Sequence, residues 1–398
     1  MQTVDVAVVG GGSTGCSILY NIAKSGEKST VLLDMSTQLA TGQTSRSTAV
    51  IRTHYSIEIL ARMALNSFRF FKNFNDEIPG YTAGYVESGL LIGADEASED
   101  AVRQNIETYK KLGIDSRILE AGEIAQIEPM LKADDFSIMV YEPNSGYADP
   151  STTASAFASA AEKLGARFLF GTKVASIERV GDSYVISTSS TDIVTCKKVV
   201  LATGVWSKPI FDRLGVRLPM RVVRHPVAIL GRPNEYRGVR PVIFDFLRSA
   251  YYKPEAKSEV SVGSLGRELD TSNIEADPDN YDQGINYKEI EDISRSVSEA
   301  LPIMASKGVY KRGYSGLYDN TPDQQPIIDE LSSYGYPGIY CLVGLSGHGF
   351  KLSPEFGRIM ASLIQDGKFT EYDVSVFKLK RFEEGRLLKG RYQLSTVG

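Results

Sequence analysis

The chain has 398 residues, 42% of them hydrophobic and 23% charged, with a formal net charge of −5. That length admits two domains, or one large domain with an insertion, and an acidic balance argues against a nucleic-acid partner, because phosphate binding needs a clustered positive field. Three dispersed cysteines (Cys16, Cys196, Cys341) offer no metal-ligand spacing and no disulfide framework, the start MQTVDVAVV has no basic region of a signal peptide, and no apolar run reaches the length of a membrane span, so a cytoplasmic location is expected.

Val4 to Val9 read as a buried strand, which delivers the chain to Gly10, Gly12 and Gly15. Behind this turn "STGCSILYNIAKSG" opens a helix, and "STVLLD" forms a second strand ending in Asp34, nineteen residues past Gly15. In this context the first glycine allows the turn, the second leaves room for a pyrophosphate, and the third lets helix and strand pack closely. The amides at Ser13 and Thr14 and the helix dipole favour an anion. A carboxylate at Asp34 accepts hydrogen bonds from ribose hydroxyls and repels a 2′-phosphate. A βα turn that binds nothing is the weaker reading, because strand, glycines, helix and acidic strand end all coincide. NAD and FAD share an ADP half, so these glycines leave the choice between them open.

Further along, "YVESGLLIGA" is strand-like. "YADPSTTAS" marks a helix start, with Asp149 as cap and Pro150 at the first helical position, and the Ala-rich "ASAFASAAEKLGA" continues that helix. Next come "ARFLFGTKVASIERV", "DSYVISTS" and "KKVVLATG", read as a βα unit, a small meander and a return strand. "VVRHPVAIL", "AYYKP" and "SEVSVGS" are short strands, "LDTSNIEADPDNYDQG" is an acidic loop, and "YKEIEDISRSVSEALPIM" places Ile290, Ile293, Val297 and Leu301 on one helical face. No internal repeat interrupts this order. The pattern suggests a discontinuous nucleotide-binding domain at 1–84, 146–218 and 314–398, and a discontinuous substrate domain at 85–145 and 219–313.

In "VVLATGVWS", Ala202, Thr203 and Gly204 follow a strand, with Trp206 beyond. Small residues there let backbone approach an extended cofactor, although an ordinary strand-to-turn transition explains them equally. Five segments together resemble the D-amino-acid-oxidase-like family of FAD enzymes, and within it the sarcosine oxidases and archaeal proline dehydrogenase β subunits. They are "GGGSTG…LLD", "TGQTSRSTAVIR", "EPNSGYADP", "LATGVWS" and "PDQQPIID…GLSGHGFKLSP". The resemblance runs nearly end to end, and the last segment carries it most. It implies an α/β fold (α+β overall) of the glutathione-reductase-2-like kind, with a Rossmann-like FAD-binding domain and an antiparallel β-sheet substrate domain. It also implies flavin contacts at Ser45, Arg46, Ser47, Thr48, Val174, Gly316, Gly344, Gly347, His348, Gly349, Phe350 and Lys351.

Amine-oxidising flavoenzymes need few reactive side chains, because the isoalloxazine accepts the hydride. A substrate carboxylate is best held by a guanidinium fork and a second cation. By resemblance these are Arg52 and Lys351, each with a bland alternative: a surface ion pair for Arg52, a helix-end lysine for Lys351. Tyr55, Tyr251 and Tyr252 are candidates for an apolar slot, as well as ordinary half-buried residues. His348, between two glycines, is expected to orient rather than titrate, with main-chain amides beside it donating to the flavin. His54 and His225 are read as structural.

Three departures from the monomeric sarcosine oxidases stand out. Gly316 occupies the place of their flavin-linking cysteine, so a non-covalent flavin is expected. Ser261 aligns with a lysine that helps oxygen accept electrons, which favours a dehydrogenase. Ser45 and Ala49 replace a histidine and an arginine, bringing the loop closer to the β subunits of heteromeric enzymes and raising the prospect of a partner subunit. The tail "FKLKRFEEGRLLKGRYQL" is rich in Lys378, Lys380, Arg381, Arg386, Lys389 and Arg391. A solvated terminal element is the commoner meaning of such a run, and docking to a partner or anionic membrane surface is the other.

The expected activity is oxidation of the C–N bond of a small secondary amino acid such as sarcosine, proline or an N-methyl amino acid, by hydride transfer to flavin N5. No second G-x-G-x-x-G is present for a separate nicotinamide domain, so electrons leave for oxygen, a quinone or dye, a carrier or a partner subunit. The competing expectations are an FAD-dependent 2-hydroxy-acid dehydrogenase, which needs a base for the hydroxyl proton, an electron-relay subunit that binds FAD but turns over nothing alone, and a nicotinamide dehydrogenase. Homo- or hetero-oligomeric assembly is left open.

Overall fold

The computed structural model describes residues 2–27, 29–190, 192–255, 258–265 and 275–392. Residues 269–274 of the expected acidic loop, Gly266 next to the strand carrying Ser261, and Gln393 and Leu394 of the tail lie outside the described residues. The amino-terminal strand Gln2–Val9 forms where valines recur, and Val4, Val6, Val8 and Val9 are all buried, as a parallel strand covered on both faces requires. Thr30–Leu33 and Ile193–Leu201 flank it in parallel, and Arg167–Leu169 lies beyond Thr30–Leu33. Ile193–Leu201 divides its outer edge between two partners. Its first half pairs antiparallel with Ser183–Thr188, and Val199–Leu201 pairs parallel with Ile339–Val343. Val174–Val180 and Ile327–Glu330 complete eight strands.

Three helices form a layer against this sheet. Ser13–Lys24 packs against Pro150–Lys163 and against Gly349–Asp366. The last crossing is close because Gly357 has no side chain: a Cβ there would stand 2.4 Å from the Ser17 hydroxyl. At the start of Pro150–Lys163 the Asp149 carboxylate accepts the Thr152 amide at 2.6 Å, and Pro150 sits in the first turn.

A second eight-stranded sheet runs in the order Val309–Asn320, Arg221–Gly231, Glu259–Ser264, Ala250–Glu255, Val242–Asp245, Leu90–Ala94, Ile138–Glu142, Arg117–Ile118. Its neighbours are antiparallel except Val242–Asp245 with Leu90–Ala94. Tyr287–Ala300 covers one face, burying Ile293 and Val297 with Leu301, and is opened by a capping box between Asn286 and Glu289. A small sheet joins Val50–Ile51, Gly146–Tyr147 and Val86–Glu87. The break expected at 313/314 falls inside Val309–Asn320, which pairs along its whole length with Arg221–Gly231 and therefore belongs entirely to the second sheet. The fold is thus α/β with a large, mostly antiparallel second sheet. Among the described residues, no helix is long and apolar enough to cross a membrane.

Among its described residues, the basic tail forms neither α-helix nor strand. Val374–Phe377 and Leu379–Phe382 are single 3₁₀ turns, and the described residues beyond them, up to Tyr392, are irregular. Lys378, Lys380, Arg386 and Lys389 face solvent, whereas Arg381 is buried.

Candidate active site

One cavity of about 520 Å³ runs from the first turn of the chain to the second sheet. At its amino-terminal end the wall is backbone: Gly10, Gly12, Ser13 and Thr14 on one side, Ala202, Thr203, Gly204 and Trp206 on the other, with Asp34 and Val174 nearby. Gly10 has φ +113°, and a Cβ there would lie 2.3 Å from the Ala202 carbonyl oxygen; a Cβ on Gly15 would lie 1.9 Å from that of Gly10. Only glycine permits this approach of strand, turn and helix. Asp34 accepts the Gly11 amide at 2.5 Å and the Ser36 amide at 2.7 Å. A carboxylate has further lone pairs, so its ability to accept hydroxyl groups is retained. The amide-lined turn, the helix amino terminus and this acid fit the ADP half of a dinucleotide.

The wall continues through the 3₁₀ turn Gln43–Arg46 and on to Thr48. Thr44 Oγ1 accepts the Ser13 amide at 3.0 Å, Gln43 Oε1 accepts the Leu317 amide at 2.6 Å, and Arg46 donates to the Ser315 carbonyl at 3.1 Å. These bonds tie the loop both to the nucleotide turn and to the long strand Val309–Asn320. Ser47 and Thr48 line the cavity, whereas Ser45 points to solvent and donates to Gly42 O at 2.9 Å. Gly316 lines it opposite Arg46.

At the far end Arg52, Phe244, Tyr251, Leu265 and Lys351 meet. Arg52 lies just past the strand Val50–Ile51 and is only 2% exposed. Its guanidinium donates to the His54 carbonyl and stacks over the Tyr55 ring at 4.0 Å, with Phe244 at 5.6 Å. Lys351, in the first turn of Gly349–Asp366, donates to Gly347 O at 2.9 Å. Burial pushes its pKa well below the usual lysine value, and the charge of Arg52 adds to the effect. Tyr251 faces the cavity because its cross-strand partner is Gly263, whose missing side chain leaves room for the ring. Tyr252, one residue on, points through the opposite face and bonds Asp245 at 3.1 Å and Ser296 O at 3.0 Å.

His348 is placed differently from expectation. It is fully buried and is not part of the cavity wall; Nε2 is 3.1 Å from Gln324 O and Nδ1 is 3.0 Å from the Tyr55 hydroxyl. The carbonyl only accepts, so Nε2 carries the proton and Nδ1 accepts from Tyr55. Burial, then Lys351 and Arg52, pushes its pKa far down and keeps it neutral. Gly347, Gly349 and Phe350 line the cavity around it, while Gly15 and Gly344 lie behind the wall.

Several wall residues escaped the sequence reading. Phe244, Leu265, Tyr318, Asp319 and His225 all line the cavity, and His225 stacks on Tyr318 at 4.4 Å. The Asp319 carboxyl is raised to about 6 by burial. Ser261 is buried away from the cavity, its hydroxyl 3.1 Å from the Glu255 carboxylate and 3.3 Å from Lys253 O, either of which can accept its one proton. The cation beside it, Lys253, is paired with Glu255 at 2.6 Å.

A Rossmann-like sheet, a glycine-lined dinucleotide cradle and a cationic, aromatic pocket on one cavity define a nucleotide-dependent oxidoreductase. A family model described as DAO, FAD dependent oxidoreductase, matches residues 5–363, and the chain belongs to that family: it is an FAD-dependent oxidoreductase. It is similar to the monomeric sarcosine oxidase of Bacillus sp. (strain B-0618), with 26% identity over 99% of each chain. It is likewise similar to a sarcosine oxidase subunit beta of Arthrobacter sp., with 26% identity over 97% of this chain and 93% of that one. Among solved structures, an L-proline dehydrogenase from P. horikoshii superposes with a TM-score of 0.86 at 25% identity, covering 97% of this chain and 100% of the other.

Proposed function

We propose that this protein oxidises the C–N bond of a small secondary amino acid such as sarcosine, proline or an N-methyl amino acid, with Arg52 and Lys351 holding the substrate carboxylate. The observation that carries the proposal is the meeting of these two cations, from opposite ends of the sequence, on one aromatic wall of the cofactor cavity. When bound, FAD would supply the two-electron acceptor for a hydride from a carbon bonded to the substrate nitrogen. The protein's own groups do the rest. Arg52, braced by the His54 carbonyl and the faces of Tyr55 and Phe244, offers a planar fork that matches a carboxylate. Lys351 spends one donor on Gly347 O and keeps two for a ligand. Burial and Arg52 disfavour its ammonium form in the empty pocket, and the negative charge of an arriving carboxylate acts in the opposite sense and favours it. Phe244, Tyr251 and Leu265 give the slot an apolar lining suited to a small side chain and to exclusion of water.

His348 does not serve as the base that a 2-hydroxy acid would need, because both of its ring nitrogens are engaged and it has no free site for a hydroxyl proton. We further infer a non-covalent flavin, in line with the absence of all three cysteines from the cavity wall. We also infer transfer of electrons to a carrier or partner subunit, supported by the β-subunit relative; Ser261, expected at the place of an oxygen-activating lysine, lies buried away from the cavity and lends this no support. In this reading the first sheet and its helices carry the nucleotide, and the second sheet supplies the substrate wall.

Anaerobic mixing of the purified holoprotein with sarcosine, L-proline, glycine and L-2-hydroxyglutarate tests the proposal. Bleaching of the visible flavin band by a secondary amino acid is the expected result. Bleaching by L-2-hydroxyglutarate alone, or by none of the four, contradicts it.

A further inference from the structure

Directly behind Arg52 lies a chain of buried polar groups, none of which lines the cavity. Asn105 Nδ2 donates to the Tyr392 hydroxyl at 2.5 Å, that hydroxyl is 2.8 Å from His54 Nε2, and His54 Nδ1 stands 3.5 Å from Glu142 Oε1. The direction of the chain is fixed from one end. Arg391 donates to Asn105 Oδ1, so the amide nitrogen of Asn105 faces Tyr392. Tyr392 therefore receives that bond and gives its own proton to His54 Nε2, which leaves the His54 proton on Nδ1, towards Glu142. Burial lowers the His54 pKa and keeps the ring neutral. Burial alone raises that of Glu142, but His54, Ser145 and Thr53 together hold it below the usual range, as a carboxylate.

These groups grip the residues that follow Arg52, one by one. The Thr53 amide and hydroxyl each donate to Glu142 Oε2 at 3.1 Å. The His54 ring is held by Tyr392, and the His54 carbonyl is the acceptor of the Arg52 guanidinium. Tyr109 donates to Tyr55 O at 2.8 Å, and Arg391 takes both the hydroxyl and the carbonyl of Ser56, at 2.7 and 3.0 Å. Buried polar groups are costly unless each finds a partner, and hydrogen bonds between buried groups fix geometry more strictly than apolar packing does; the hydrogen bonds here are those of Tyr392 and of Glu142 Oε2, while His54 Nδ1 and Glu142 Oε1 face each other at 3.5 Å without one.

We propose that the chain from Tyr392 through His54 to Glu142 is a positioning device that aims Arg52 at the substrate carboxylate, so that a residue near the carboxyl terminus sets substrate affinity. The inference rests on the carboxylate role of Arg52 proposed above, and its test separates the two. The oxidised holoprotein is titrated with acetate, and separately with uncharged acetamide, following the visible flavin spectrum; thermal midpoint and flavin content are recorded for each variant.

Tyr392→Phe removes one hydroxyl and is expected to raise the acetate dissociation constant about 5–10-fold, with acetamide binding unchanged. With a reducing substrate, KM rises more than kcat falls. Glu142→Gln attacks the other end of the chain and is expected to act in the same direction, which keeps the test open should the first variant misfold. If both variants bind acetate as wild type does while Arg52→Lys binds it weakly, the positioning role is wrong and the grip stands. If Arg52→Lys itself leaves acetate binding unchanged, the grip is wrong. Equal weakening of acetate and acetamide, or loss of the fold in both variants, overturns the positioning role in favour of a purely structural one.

Discussion

Lys351 and His348, three residues apart, show how one helix start treats two basic groups. Lys351 borders the cavity and donates to Gly347 O, while His348 is turned inward between Tyr55 and Gln324. Burial and Arg52 depress the Lys351 pKa, so the ammonium is lost as pH rises through a value below the ~10.4 of free lysine. Acetate affinity should therefore fall on the alkaline side well before that pH, and Lys351→Met should abolish this limb; titrations from neutral to alkaline pH check it. His348 stays neutral in the fold but takes a proton near ~6.5 once unfolded. The unfolded state then binds more protons, so stability falls as pH drops below that value, by at most ~1.4 kcal/mol per pH unit. His54, also lowered, acts in the same sense, while Asp319, raised to about 6, opposes both below that pH. The thermal midpoint of the holoprotein should accordingly fall between pH 7 and 6, and His348→Gln should flatten the decline.

Among the elements, the strand–turn–helix at the amino terminus was legible because each of its residues answers a local demand. Gly10 must take positive φ under Ala202, Gly15 must pass the Gly10 carbonyl, and the valines are covered on both sides. Gly15→Ala should yield protein with little bound flavin, read as visible absorbance per chain, because a Cβ there collides with backbone rather than with a movable side chain. Asp149→Ala, at a helix cap that faces solvent, should instead cost about 1 kcal/mol in urea unfolding and leave the colour intact. Phe244, Tyr318 and Asp319 were not legible: alternation along a strand tells which residues share a face, but which face meets the cofactor depends on partners far away in sequence. The inward turn of His348 was hidden for the same reason, since Tyr55 and Gln324 come from distant segments.

Across the whole molecule, the tail ties the ends of the chain to the site. Among its cations, composition does not reveal that Arg381 is the buried one, because its partner is far away in sequence. Arg381 forms a forked pair with Asp323 at 2.8 and 2.9 Å and donates to Gln325 O at 2.9 Å, in the loop that also presents Gln324 to His348. Arg381→Leu should destabilise the protein by roughly 3–5 kcal/mol, since it leaves a buried carboxylate without its partner, and chemical denaturation measures this. The most direct measurement of the central claim is the half-saturating concentration of the reducing amino acid in anaerobic stopped-flow, for wild type and Arg52→Ala. Loss of a buried, charge-assisted fork predicts a rise of about 100-fold, corresponding to roughly 2–3 kcal/mol. An unchanged half-saturation would place the substrate carboxylate elsewhere and contradict the account.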